Sequence, residues 1–124
     1  DTWSLQIQTR EKNKDLPAQR INIDICAIPS YQIQPMFLLN PYHVDMGTSG
    51  LIIQAQSLEE IFIDKLLAFS LHPNRIKYRD LWDIFWLHTQ NIKPAMELIS
   101  FKLQDRHLEI SKFLLLFEKR LQLM

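Results

Sequence analysis

The stretch SLEEIFIDKLLAFSL, Ser57 to Leu71, divides the chain into a β-rich part before it and a helical part after it. It opens with a capping box, Ser57 followed three residues on by Glu60, and continues as an apolar helix. At about 100° per residue, Lys65 falls between Leu58, Ile61 and Phe69, on the side that the pattern assigns to the core. An unpaired ammonium is costly there, so an anion must accompany it. Two partners are open from the residues alone. One is the pair of carboxylates in Arg79-Asp80-Leu81-Trp82-Asp83; the other is a bound phosphate.

Upstream of Ser57 the pattern is β. Trp3 to Thr9 alternates Trp3, Leu5 and Ile7 with Ser4, Gln6 and Gln8, and Ile21 to Ile28 again alternates β-branched with polar residues. These two segments are expected to pair as an antiparallel hairpin across a long polar loop. Pro29, Pro35 and Pro41 punctuate an irregular stretch with one short strand near Met36 to Leu39. Gly47 and Gly50 frame a turn before a strand at Leu51 to Ala55.

Downstream the pattern is α. Pro73-Asn74 ends the first helix, Tyr78 to His88 forms a second, Pro94 opens a third over about Lys93 to Gln104, and the last runs over about His107 to Leu123. The expected fold class is therefore α+β, short antiparallel strands followed by a four-helix C-terminal bundle. Residues 1–56 form the β-rich part and 57–124 the helical part of one compact unit.

Composition narrows the function. With 47% hydrophobic and 23% charged residues the 124-residue chain is an ordinary globular sequence, long enough for one core. Fourteen basic and fourteen acidic residues cancel, so a polyanion would have to meet a local patch. One cysteine, Cys26, excludes a disulfide framework or a cysteine-based zinc site, and a reducing cytoplasm fits it best. No apolar run approaches the roughly 20 residues that span a bilayer, so no membrane role is expected. Because the chain begins at Asp1, within strand-like residues and without a methionine, a piece of a longer protein is expected.

Several groups carry possible chemistry, each with an ordinary structural alternative. Asp24 is either a solvent-face polar residue or a strand carboxylate aimed at a magnesium ion. Asp80 and Asp83, three apart on a helix, share a side, although Asp80 also suits a helix start electrostatically. Arg75, Lys77 and Arg79 are either a solvated cationic loop or donors to an anion at that helix start. Trp82, Phe85 and Trp86 are expected in the core rather than as a stacking platform. His43, His72, His88 and His107 show no metal-ligand spacing, and no phosphate-cradling glycine loop is present.

Taken in order, Ile21-Asn22-Ile23-Asp24-Ile25, Ser57-Leu58-Glu59-Glu60-Ile61 with Asp64-Lys65-Leu66-Leu67-Ala68, and Arg79-Asp80-Leu81-Trp82-Asp83-Ile84 resemble the later half of the AbiEii/AbiGii nucleotidyltransferase toxins. That family belongs to the polymerase-β-like nucleotidyltransferase superfamily and is associated with abortive infection and toxin–antitoxin pairs. The resemblance implies transfer of a nucleotidyl group from a nucleoside triphosphate to RNA (tRNA included) or to a protein acceptor, with Mg2+ and a possible antitoxin partner. It implies Asp24 as a metal ligand, Lys65 and Arg79 as nucleotide contacts, and Asp80, Asp83 and Lys65 as catalytic residues. The upstream glycine-glycine-serine/threonine and paired-aspartate motifs of such enzymes are not in this chain, so the chain by itself is expected to be inactive. The rival expectation is a non-catalytic interaction module that uses the apolar helix Phe113 to Leu123.

Overall fold

A computed structural model describes residues 2–9, 19–40, 44–45, 47–72 and 77–124. The expected polar loop over residues 11–18, Pro41, His43, the Pro73-Asn74 break and Arg75 lie outside the described residues. The elements are β1 (Thr2–Thr9), β2 (Gln19–Cys26), β3 (Ile33–Phe37), β4 (Ile52–Gln56), α1 (Leu58–Leu71), α2 (Tyr78–Thr89), a 3-10 turn (Met96–Leu98) leading into α3 (Ile99–Gln104), and α4 (Ile110–Gln122). The fold is α+β, with short antiparallel strands followed by four helices.

The strands form two separate antiparallel pairs, β1 with β2 and β3 with β4. In the first pair Trp3 faces Ile25, Leu5 faces Ile23 and Ser4 faces Asp24. The period of two therefore collects Trp3, Leu5, Ile23 and Ile25 on one face and Ser4, Gln6, Asn22 and Asp24 on the other. The third strand begins earlier than its sequence pattern indicates. Pro35 sits inside it, opposite Gln54, which a two-stranded sheet tolerates because both strands are edges. Gly47 and Gly50 lie in the turn before β4, both at positive φ.

Helix α1 is the centre of the helical part. Ile63 and Leu67 pack with Ala95, Leu98, Leu103 and Phe113. On another side α1 meets α2, and Phe69 meets Phe117 of α4 edge to face at 6.1 Å. Because apolar residues cover most of its circumference, α1 has no single core face for a periodicity reading to find. Lys65 accordingly lies on the side toward α2, its side chain 27% exposed, rather than in the central core. Leu58, assigned inward by the same reading, is exposed.

Two further expectations are corrected. The Trp82, Phe85 and Trp86 side chains are exposed, because α2 turns Asp80, Asp83, Ile84 and Leu87 toward the protein instead. The last two helices are shorter than their patterns. Residues 93–95 stay non-helical, with the Ala95 N–H donating to the Glu59 carbonyl at 3.1 Å. His107 adopts φ +53 and ends α3, while the Leu108 N–H closes back on the Leu103 carbonyl at 2.9 Å. Asn91, at φ +58, ends α2 in the same way through the Ile92 N–H and the Leu87 carbonyl. A chain with only two glycines, both used before β4, makes these left-handed caps from asparagine and histidine.

The capping box at Ser57 is only half formed. The Ser57 hydroxyl accepts from the Glu60 N–H at 3.1 Å. The reciprocal bond is absent, since the Ser57 N–H donates to the Gln32 carbonyl at 2.8 Å. Glu60 is thereby released for another task. Its carboxylate, 0% exposed, accepts from the Tyr31 N–H at 3.0 Å and the Gln32 N–H at 2.7 Å, and pairs with the Lys102 ammonium at 2.7 Å. Lys102, 1% exposed, also reaches Asp64 at 2.8 Å, and Asp64 receives Arg106 at 3.2 Å and Gln56 at 2.7 Å. The cation buried in the core is thus Lys102 and not Lys65.

Burial pushes the Glu60 carboxyl up, but the Lys102 ammonium and the backbone donors of Tyr31 and Gln32 outweigh it and lower the pKa from 4.5 to about 2. A carboxyl whose folded pKa is depressed adds stability that is complete above the unfolded value and fades as the pH falls toward the folded one. The acid limb of the stability curve between pH 4.5 and about 2 should therefore flatten in Glu60→Gln, measured by urea unfolding across that range. Lys102→Met should cost about 3–5 kcal/mol at neutral pH, because it strands a buried carboxylate. A loss below 1 kcal/mol would show that the pair is not buried as described.

Candidate functional site

The Lys65 cluster joins α1 to the first turns of α2. The Lys65 ammonium lies 2.6 Å from an Asp83 oxygen and 3.3 Å from an Asp80 oxygen. Asp80 is buried, Asp83 half-buried, and the two share the inward side of α2 because they are three residues apart. Lys77, the N-cap residue of α2, supplies no side-chain cap, so the early carboxylate of Asp80 is also well placed for the helix dipole. Burial lowers the Lys65 pKa, but the hydrogen bond and charge of Asp83, followed by those of Asp80, raise it above the usual 10.5. The amine is a permanent cation at physiological pH. An ammonium has three donors, and two carboxylates engage two of them, which leaves one for a ligand oxygen.

The remaining sequence-derived residues lie elsewhere or stand apart. Asp24 is on the polar face of the β1–β2 hairpin, exposed, and accepts a hydrogen bond from the Ser4 hydroxyl. No described interaction joins it to Lys65, Asp80 or Asp83. Arg79 is exposed at the start of α2 and makes no ion pair among the described residues. The structure thus brings together Lys65, Asp80 and Asp83, and it leaves Asp24 and Arg79 outside that cluster.

A resident metal finds no donor set here. Among the described residues, no three His, Cys, Asp or Glu side chains gather around a common point. Asp80 and Asp83 already face an ammonium, whose charge opposes a second cation, and Asp24 offers one carboxylate by itself. The described residues alone do not fit a bound Mg2+.

The Glu60–Lys102–Asp64–Arg106 network was missed by sequence reasoning, although it left a signal. Glu60 and Asp64 are four apart on α1, a like-charge spacing that destabilises a helix unless cations intervene. Lys102 and Arg106 show the same spacing with the opposite sign. Two such pairs in one small domain are the trace of an interhelical ion network, but neither pair shows which helix it will meet.

The family model for the nucleotidyl transferase AbiEii toxin of type IV toxin–antitoxin systems matches residues 1–123. The chain belongs to the AbiEii family. The match extends past the three motifs to β1, α3 and α4, so Lys102 and Arg106 also lie within the AbiEii region. No curated protein and no solved structure matches the chain. None of the described helices is long and apolar enough to cross a membrane.

Folding raises the Lys65 pKa, so the stability contributed by its ion pairs is present below 10.5 and fades as the pH climbs through the raised value. In Asp83→Asn the shortest contact loses its charge, and burial then acts against Asp80 alone. The Lys65 titration, followed by NMR of 13C-methylated lysines, should move to lower pH than in the wild type. An unmoved titration would remove Asp83 as the group that holds the amine charged.

Proposed function

We propose that the chain is part of an enzyme that transfers a nucleotidyl group from a nucleoside triphosphate to an RNA or protein acceptor. Lys65 contacts the triphosphate through its remaining donor, and Arg79, exposed at the start of α2 and outside the cluster, is a second nucleotide contact. Asp80 and Asp83 hold the Lys65 amine charged and fixed in direction, or orient a substrate hydroxyl. The observation that carries this reading is the half-buried Lys65 ammonium, held by two carboxylates yet still reachable from solvent. The structural Lys102 also has two carboxylate partners but is 1% exposed, whereas the Lys65 side chain is 27% exposed. Positioning and charge neutralisation are what phosphoryl and nucleotidyl transfer ask of a protein.

Asp24 is assigned as one magnesium ligand of the intact enzyme. The described residues do not complete a metal site around it. On the same ground these residues by themselves are expected to be inactive. A cytoplasmic setting and an antitoxin counterpart agree with the type IV toxin–antitoxin family.

A second reading, a non-catalytic interaction module, draws on α4. Phe113 is buried and Phe117 packs beside it, but Leu114 and Leu115 on the other side are exposed. The transfer reading explains the Lys65 cluster and this one does not.

The deciding experiment measures magnesium-dependent binding of a nucleoside triphosphate to the full-length encoded protein, with and without Lys65→Ala. Loss of one charge-assisted contact should weaken binding by about 1.5–3 kcal/mol, or roughly tenfold or more. Equal binding by both proteins would end the phosphate role of Lys65.

A further inference from the structure

Helix α2 turns its carboxylates inward and leaves its aromatic side chains in water, the reverse of what their hydropathy asks. Tyr78, Trp82, Phe85 and Trp86 are 76%, 63%, 64% and 41% exposed. Singly exposed apolar side chains are ordinary, and three of these four are of that kind. At about 100° per residue, Tyr78, Trp82 and Phe85 lie about 140°, 100° and 160° around the helix from Asp83, away from the Lys65 cluster. Trp86 is different. It lies about 60° from Asp83, one turn further along, on the flank away from Asp80. Side chains three apart on a helix are neighbours, so the indole stands beside the carboxylate that holds the Lys65 ammonium at 2.6 Å. It is also the least exposed of the four, with more than half of its surface covered and the rest open. A ring held in place on one part and open on another is what a stacking wall requires.

Arg79, Asp83 and Trp86 follow one line along α2, within about 60° of each other and over about 10 Å of helix rise. The helix dipole gives that line a polarity. Its beginning, with Arg79 and the positive helix end, favours phosphates, whereas the last turn, which carries Trp86, is the negative end and repels them. The Trp86 carbonyl takes part in that end, accepting from the Thr89 hydroxyl at 2.7 Å and from the Gln90 N–H at 3.1 Å. A flat, uncharged group suits Trp86, and an anion suits the Lys65 side of the line. A nucleoside triphosphate carries both, at opposite ends of one molecule.

We infer that Trp86 is the nucleobase wall of the site: the base of the nucleoside triphosphate stacks on its indole while the phosphates lie toward Lys65 and Arg79. The inference rests on the transfer reading above for the identity of the ligand and adds the direction in which the nucleotide lies along α2. Every base has a π-face, so Trp86 sets position and leaves the choice among bases to other groups.

The test is calorimetric titration of the full-length encoded protein, in magnesium buffer, with whichever ribonucleoside triphosphate binds most tightly and with inorganic tripolyphosphate, which has the phosphates and no base. W86L should weaken the nucleotide by about 5- to 150-fold and leave tripolyphosphate unchanged. W86F keeps a ring and should recover most of the loss. W82L, which changes another side of α2, should bind both ligands as wild type does. In protein labelled with 5-fluorotryptophan, the 19F resonance that disappears in W86F should shift with the nucleotide and stay in place with tripolyphosphate. Unchanged nucleotide affinity in W86L, an equal loss of both ligands, or an equal loss in W82L would overturn the inference. K65A separates it from its premise, because it should weaken both ligands. If K65A weakens neither while W86L still loses the nucleotide, the phosphate role of Lys65 fails and the base wall stands. If K65A weakens both and W86L neither, the wall fails and the transfer reading stands. Failure of every ribonucleoside triphosphate to bind the wild type would end both.

Discussion

The fully buried ion pair between Glu60 and Lys102 is the constraint around which the helical part of the chain is arranged. Two charges this deep are tolerable only when every remaining lone pair and proton finds a partner. Glu60 meets that condition by taking the backbone N–H groups of Tyr31 and Gln32, and Lys102 by adding Asp64. The pair thereby ties three pieces together: the segment entering β3, the first turns of α1, and α3. It also explains why the capping box is incomplete. The Ser57 N–H is satisfied by Gln32, so the helix start loses nothing when Glu60 turns away.

Consecutive residues of α1 then carry the two charged clusters in different directions. Asp64 turns to Lys102 and Arg106, and Lys65 turns to Asp80 and Asp83. Successive side chains on a helix diverge by about 100°, so fixing one largely fixes the other. The buried network therefore sets the azimuth of α1, and the direction of the Lys65 amine toward α2 follows from it. The two clusters differ in how open they are. The first is closed to solvent at Glu60 and Lys102, with Asp64 and Arg106 part-exposed at its edge, and its charges balance internally, which suits structure. The second keeps a donor and a solvent route, which suits a ligand.

Much of this was legible in the sequence, and the failures share a cause. Strand alternation in Trp3 to Thr9 and Ile21 to Ile28 gave the hairpin, and the Ser57 signature placed the start of α1 within a residue. Asp80 and Asp83 are one of the two partners that the sequence leaves open for Lys65, because a cation in an apolar helix demands an anion, and the structure pairs them with it. Pattern fails where an element is buried on more than one side, as α1 is. Its hydrophobic residues do not point one way, so periodicity places Lys65 deeper than it lies, and the short α3 gives no period from which the burial of Lys102 between Phe101 and Leu103 can be read. The converse error occurred on α2. Its aromatic residues are the most apolar in that helix, yet the inward side went to Asp80 and Asp83, because pairing with Lys65 and packing of Leu87 fixed the rotation of the helix first.

The hairpin poses a separate question about Asp24. Register places Trp3, Leu5, Ile23 and Ile25 together on one face, all of them exposed, and a two-stranded sheet is at best marginal when such a face stays in water. Covering that face is what would stabilise the hairpin. Strand geometry then decides where the carboxylate goes, because Asp24 alternates with Ile23 and Ile25 and must project from the opposite face. Whatever element packs against the isoleucines leaves Asp24 directed away from it, steadied by the Ser4 hydroxyl. A metal-binding role for Asp24 is therefore compatible with burial of the hairpin only if the remaining ligands approach from its polar side, past Gln6 and Asn22.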